Sequence, residues 1–193
     1  MKKSDLIQAF KNNGGWLHSR SFGYKTHIYK YLKELIQQGE VEEVKRGLFY
    51  YKKLNPVADS FNEIAILYPN AVICLFSAWH YYQLTTTVPY RHHLAIPHKS
   101  KPAKTDYPPV KFYYWSKEQY ELGMVKQNKL MIYDVEKSVC DAVKFRNKVG
   151  EEITLEVLKK YMKLKQRDIE KLMGYAKQMR IEKTISPMLK TLI

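Results

Sequence analysis

The chain has 193 residues, 45% of them hydrophobic and 27% charged, which describes a globular protein and excludes a disordered one. Its 33 lysines and arginines against 19 acids give a formal charge of +14 at pH 7. An excess of that size points to a polyanion, nucleic acid before acidic membrane, and it runs along the whole sequence rather than sitting in a tail.

No apolar run approaches the roughly 20 residues needed to cross a bilayer. Met1-Lys2-Lys3 leads into a polar helical pattern, not into the apolar core of a signal peptide. The expected location is the cytoplasm, with no membrane partner. Cys74 and Cys140 lie in apolar surroundings and read as buried thiols of a reducing compartment, although the sequence alone leaves a bridge open.

In chain order, Ser4 is the expected N-cap of a first helix with Leu6, Ile7, Ala9 and Phe10 as its apolar stripe, ending near Asn13-Gly14-Gly15. Trp16 and Leu17 add apolar bulk, His18–Phe22 reads as a short second helix, and Gly23 turns into a longer one. In that long helix Ile28, Leu32, Leu35 and Ile36 follow the i, i+4, i+7, i+8 rule, with Tyr31 beside them. The opposite face carries Thr26, Tyr29, Lys30, Lys33 and Gln37, with Glu34 toward one edge. Gly39 stops the helix in the left-handed conformation. Glu40–Lys45 and Leu48–Tyr51 then read as two strands joined at Arg46-Gly47. Three helices followed by a hairpin is the order of a winged helix-turn-helix.

Asn55-Pro56 is a turn signal within a linker, so the expected division is 1–55, a winged helix-turn-helix DNA-binding domain, and 56–193, a second domain. There Phe61, Ile64, Ala65 and Tyr68 give a helical stripe broken by Pro69-Asn70. The apolar segment Ala71–Leu84 reads by its length as one buried helix. Leu94–Pro97, Val110–Trp115 and Leu130–Tyr133 read as strands, and Lys117–Leu122 as a short helix. Asp134 is the expected cap of a helix to about Arg146, with Val135, Val139, Ala142 and Val143 inward. Thr154 is the expected cap of the next, with Leu155, Leu158, Tyr161 and Met162 on one face. Asp168–Gln178 buries Ile169, Leu172, Met173 and Ala176, and Ser186-Pro187 opens a last short helix. The fold class is therefore α+β: an N-terminal winged helix-turn-helix, then an α+β domain with a small sheet and a helical C-terminal end.

The long helix is the first candidate site. Lys25, Lys30 and Lys33 suit phosphates, while Thr26, Tyr29 and Gln37 suit base edges in a major groove, with Arg20 and His27 flanking. The plainer reading is an amphipathic helix with a solvated face. The second candidate is the hairpin tip, where Lys45 and Arg46 can reach a phosphate or a minor groove and Gly47 supplies a positive φ. The third is a basic patch of Arg91, Lys99, Lys101 and Lys104, against a plain solvated loop. His80, His92, His93 and His98 invite a metal, but adjacent His92 and His93 point to opposite faces of a strand and no cysteine or glutamate spacing accompanies them. No metal or cofactor is expected.

The fourth is Asp134, Glu136 and Asp141 with Lys137, which a nuclease could use. Capping and ion pairs along the helix explain these residues more simply. Ser77 lacks the glycine-flanked elbow of a nucleophile and reads as a buried hydroxyl bonded to backbone. No catalytic residue is assigned.

Taken together, the motifs resemble the AbiEi family, the antitoxins of type IV toxin–antitoxin systems, over nearly the full chain. The carriers are the wing Lys45-Arg46-Gly47-Leu48-Phe49-Tyr50, the helix with Ser77, Ala78, His80 or Tyr81, and Leu84, and the segment Tyr133-Asp134-Val135-Glu136-Lys137-Ser138-Val139-Cys140-Asp141. That last segment departs from the family pattern: valine stands for proline at 135, lysine for arginine at 137, and serine for threonine at 138. Lysine at 137 weakens any argument that needs arginine's planar fork. The resemblance implies a transcriptional autorepressor without enzymatic activity. It would bind inverted repeats of double-stranded DNA in its own promoter through the winged helix, with positive surface of the second domain contributing. It would also counter a nucleotidyltransferase-like toxin, with or without direct contact. The alternatives are an interaction module that neutralises the toxin by binding it, suggested by the aromatic run Phe112-Tyr113-Tyr114-Trp115, and more remotely a metal-dependent nuclease.

Overall fold

The computed structural model describes residues 2–22, 26–54, 60–103, 105 and 107–192; of Thr26 and Ser60 only the backbone is described. The chain divides into two units, Met1–Glu63 and Ile64–Ile193, where the sequence places the boundary after residue 55. The expected linker turn at Asn55-Pro56 lies outside the described residues.

The first unit holds α1 (Lys3–Asn12), β1 (Trp16–His18), a 3-10 turn (Ser19–Phe22), α2 (Thr26–Gln37), β2 (Val41–Lys45) and β3 (Leu48–Tyr51). The start of α1 is fixed by Asp5, whose carboxylate accepts from the Lys2 backbone N–H at 2.7 Å. Asp5 thus takes the role expected of Ser4, which sits inside the first turn; a carboxylate there is also favoured by the helix dipole. The expected second helix shrinks to the 3-10 turn. Trp16–His18 is drawn into the sheet instead, pairing antiparallel with β3, Trp16 opposite Tyr50 and His18 opposite Leu48. β3 is the central strand, with β2 on its other side. Leu6 and Phe10 of α1, Ile28, Leu32 and Leu35 of α2, and Val41 and Phe49 of the sheet close one core.

The hairpin between β2 and β3 turns at Gly47, whose φ is +74°. Its N–H donates to a Glu43 carboxylate oxygen at 2.7 Å, and its carbonyl accepts from Ser19 N–H at 2.7 Å. A Cβ at this position would lie 2.6 Å from Ser19 Oγ. Gly47→Ala should therefore lower stability by about 1–3 kcal/mol, from left-handed strain plus the clash. Thermal denaturation of Ser19→Ala/Gly47→Ala should recover the clash but not the strain; a neutral single variant would contradict this packing.

α3 (Ser60–Leu67) contains the division between the units. The second unit continues with β4 (Val72–Ile73), α4 (Leu75–Tyr81), β5 (His92–Pro97), β6 (Val110–Trp115), α5 (Lys117–Glu121), β7 (Met124–Gln127) and β8 (Leu130–Tyr133). Five helices end the described chain: α6 (Val135–Lys144), α7 (Arg146–Val149), α8 (Glu151–Met162), α9 (Ile169–Gln178) and α10 (Glu182–Lys190). Its sheet has the order β6-β5-β4-β8-β7. β5 pairs parallel with β6, with His93 opposite Lys111. The coarse class, α+β with two small sheets, is as the sequence implies.

Several local expectations are corrected. Ala71–Leu84 is a short central strand followed by a helix, divided where Leu75 takes φ 47°. A strand covered on both faces reads as apolar as a buried helix does. β7 is missed because its sequence, Met124-Val125-Lys126-Gln127, carries little strand signal and its hairpin with β8 turns at Asn128 (φ 56°). α8 starts at Glu151, not at Thr154; the Thr154 hydroxyl is buried and donates to the carbonyls of Ala142 and Gly150. α10 starts at Glu182, so Pro187 lies inside it rather than opening it. Ile36, Leu155 and Ile169, expected inward, are each more than a third exposed, and Val135 is only half-buried. For Ile36 the reason is angular: at about 100° per residue it stands about 80° from Ile28, at the edge of the stripe.

The core of the second unit is built on Trp79, Tyr133 and Tyr161. Each has its polar atom satisfied: Trp79 Nε1 donates to the Ser138 carbonyl, Tyr133 to that of Tyr120 and Tyr161 to that of Asp168, at 2.8–3.0 Å. Burying rings of this size contributes on the order of 2–3 kcal/mol each. Cys74 and Cys140 are both free and buried. Among the described residues no helix is long and apolar enough to cross a membrane.

Candidate nucleic-acid interface

Helix α2 sorts its residues by angle. Ile28, Leu32 and Leu35 are at most 2% exposed and face the core. Lys30, Lys33 and Gln37 lie about 180° away and are exposed. Tyr29, 46% exposed, flanks that face on one side beside Ile36; His27, also exposed, and half-buried Glu34 flank it on the other. Among the described residues neither Lys30 nor Lys33 forms an ion pair, so both charges are available to an external anion. Lys25 and the side chain of Thr26, also assigned to this site, lie outside the described residues.

The flanking candidates sit on elements that the sheet fixes. Arg20 is exposed in the 3-10 turn, with its backbone N–H donating to His18 Nδ1 at 3.1 Å. Arg46 is exposed at the hairpin turn. Lys45 is half-buried, and burial lowers its pKa. Backbone hydrogen bonding from Ser19 to Gly47 ties the 3-10 turn to the hairpin tip, so Arg20 and Arg46 belong to one braced edge of the unit.

The second basic patch is not one cluster. Arg91 precedes β5, and Lys99 and Lys101 follow it on an exposed loop. The strand between them spans roughly 20 Å. Lys104 lies outside the described residues. The aromatic run of β6 also turns mostly inward. Trp115 is buried and stacks on Tyr133, Tyr113 stacks on His93, Phe112 meets Tyr68 edge-on, and only Tyr114 is exposed.

The histidines do not converge either. Among the described residues no group of three potential ligands is placed to hold a metal. His93 is buried, its backbone N–H donating to Ser77 Oγ at 2.9 Å, the backbone partner expected for that hydroxyl. Its Nδ1 shares a 2.9 Å hydrogen bond with the Tyr113 hydroxyl. Burial, then the nearby Lys111, Arg91 and His92, push its pKa down to about 4. The unfolded chain takes this proton near pH 6.5 and the folded chain does not, so stability falls as pH drops between those values, by up to about 3 kcal/mol. Denaturation midpoints from pH 7 to pH 4 should show that slope, and His93→Gln should flatten it; an unchanged slope would contradict a neutral buried imidazole.

The carboxylates of α6 are all engaged. Asp134 accepts from the Lys137 backbone N–H at 2.8 Å and from the Tyr175 hydroxyl at 2.9 Å. Glu136 accepts from Tyr161 at 3.3 Å, and Lys171 approaches both acids, at 3.0 and 3.6 Å. Lys137, wholly buried, gives its Nζ to both Asp141 oxygens at 2.7 and 2.8 Å. The same nitrogen lies 4.3 Å from the Tyr133 ring centroid and 4.5 Å from that of Trp115. Burial raises the Asp141 pKa and the ammonium opposes that rise. Two oxygens at these distances from one nitrogen is the geometry of an ionised pair. The sequence reading named these residues but not how deep the pair lies, since a lysine and aspartate four apart on a helix are usually a surface pair.

No protein-family model matches the chain, and no curated protein matches it.

Proposed function

We propose that the chain is a sequence-specific DNA-binding autorepressor and the antitoxin of a type IV toxin–antitoxin system, acting in the cytoplasm. In this reading the first unit is a winged helix-turn-helix, with α2 as the recognition helix and the β2–β3 hairpin as the wing. One observation carries it: the face of α2 opposite its buried stripe presents Lys30, Lys33 and Gln37 to solvent, with no carboxylate on its central line. Lysines there suit phosphates, and the amide of Gln37 with the hydroxyl of Tyr29 suits base edges. The sequence motifs shared with the AbiEi antitoxins give the reading its biological setting. The second unit, with 22 lysines and arginines against 12 acids, holds most of the +14 and would add attraction for the duplex.

The test is a binding titration of the whole chain against the DNA upstream of its own reading frame and against a shuffled duplex of equal length. The reading expects at least a thousandfold preference, at the low end for specific regulators. Equal affinity for the two would overturn the repressor assignment while leaving general DNA binding standing.

A further inference from the structure

The second unit contains a cavity of about 420 Å³ whose lining includes Phe76, Thr87, Tyr90, Arg91, His93 and Lys111. That volume lies in the usual range for small-molecule sites. Its walls are preformed. Glu156 accepts from Thr85 Oγ1 at 2.8 Å and from the Thr86 N–H at 2.7 Å, and His92 N–H donates to the Pro109 carbonyl at 2.8 Å. The segment bearing Thr87, Tyr90 and Arg91 is thereby pinned at both ends.

Among the described residues no carboxylate lines the cavity or neutralises its charges. Arg91 is held over the Tyr90 ring at 4.4 Å and Lys111 near that of Tyr113 at 5.4 Å, not by acids. A guanidinium held over a ring keeps its N–H donors for another partner. His93 is 8% exposed, and its Nε2 meets no hydrogen-bond partner among the described residues. When Tyr113 donates to Nδ1, Nε2 carries the proton and becomes a third donor at the cavity wall. A bare carboxylate would satisfy Arg91 but leave much of the space and the aromatic wall unused. A phosphate has oxygens enough for all three donors, and a flat base matches the rings of Phe76 and Tyr90.

We propose that this cavity binds a nucleoside phosphate, with the phosphate between Arg91, Lys111 and His93 and the base on the aromatic wall. A free mononucleotide and the terminal nucleotide of a strand present the same chemistry. The site is built from residues of the second unit and does not depend on the repressor reading.

The test is a titration of the full chain, followed by amide NMR, with each of the four ribonucleoside monophosphates, inorganic phosphate, adenosine and a 5′-phosphorylated trinucleotide. At least one monophosphate or the trinucleotide should saturate below about 1 mM, shifting Thr87, Arg91 and Lys111. Inorganic phosphate should compete weakly and adenosine more weakly still. Whichever of mononucleotide and trinucleotide binds tighter identifies the source. Lys111→Gln, at an exposed position, should weaken binding about tenfold, and Arg91→Gln/Lys111→Gln about a hundredfold, with the melting temperature nearly unchanged. No saturable shift by any phosphate ligand up to about 5 mM, or full binding by the double variant, would overturn the proposal.

Discussion

Lys137→Ala should destabilise the second unit by about 3–5 kcal/mol, more than any surface change in the chain. The cost is not the worth of the ion pair. Removing the ammonium leaves the Asp141 carboxylate wholly buried without its partner. It also opens a gap under the Trp115 and Tyr133 rings, against which the ammonium packs. Asp141→Ala should cost a similar amount by leaving the ammonium unpaired. Lys137→Met/Asp141→Leu should recover most of the loss, because desolvating both charges cancels much of what their attraction supplies. Urea denaturation of the four proteins reads this out. A midpoint for Lys137→Ala equal to that of the parent would mean that water reaches the pair.

The second large effect concerns DNA. Lys30→Ala/Lys33→Ala should weaken binding to every duplex, operator and shuffled alike, by at least about tenfold in low salt. The dependence of log affinity on log salt should become shallower by about two, since each lysine lost from a phosphate removes about one released counterion. Both residues are exposed and outside the core stripe, so folding should be unaffected. Tyr29→Ala should act differently, narrowing the gap between operator and shuffled DNA more than it lowers affinity. Unchanged affinity in the double variant would remove α2 from the interface.

The parts legible in the sequence are those with a short-range signature. The α2 stripe, the stop at Gly39 (φ +70°) and the turn at Gly47 follow from helical periodicity and from glycine's freedom at positive φ. Asp134 caps its helix, as its type and position imply, whereas Asp168, read as the first residue of its helix, is the cap of that helix. What stayed hidden depends on pairing between distant residues. Trp16–His18 becomes a strand only because β3 lies beside it. Val72–Ile73 is a strand only because β5 and β8 flank it. The cavity was hidden for the same reason: Lys111 stands opposite His93 only through the parallel register of β5 and β6. The basic stretch from Arg91 to Lys101 looks contiguous as text, but an intervening strand sends its ends apart.

The central claim, that α2 lies in a major groove, is tested most directly by dimethyl sulfate modification of guanine N7 in the upstream DNA, since that atom faces only this groove. The account predicts protected guanines in two half-sites about one helical turn, or a multiple of it, apart, with protection lost in Lys30→Ala/Lys33→Ala. Tight binding that leaves every guanine N7 reactive, or the same protection in the double variant, would contradict it.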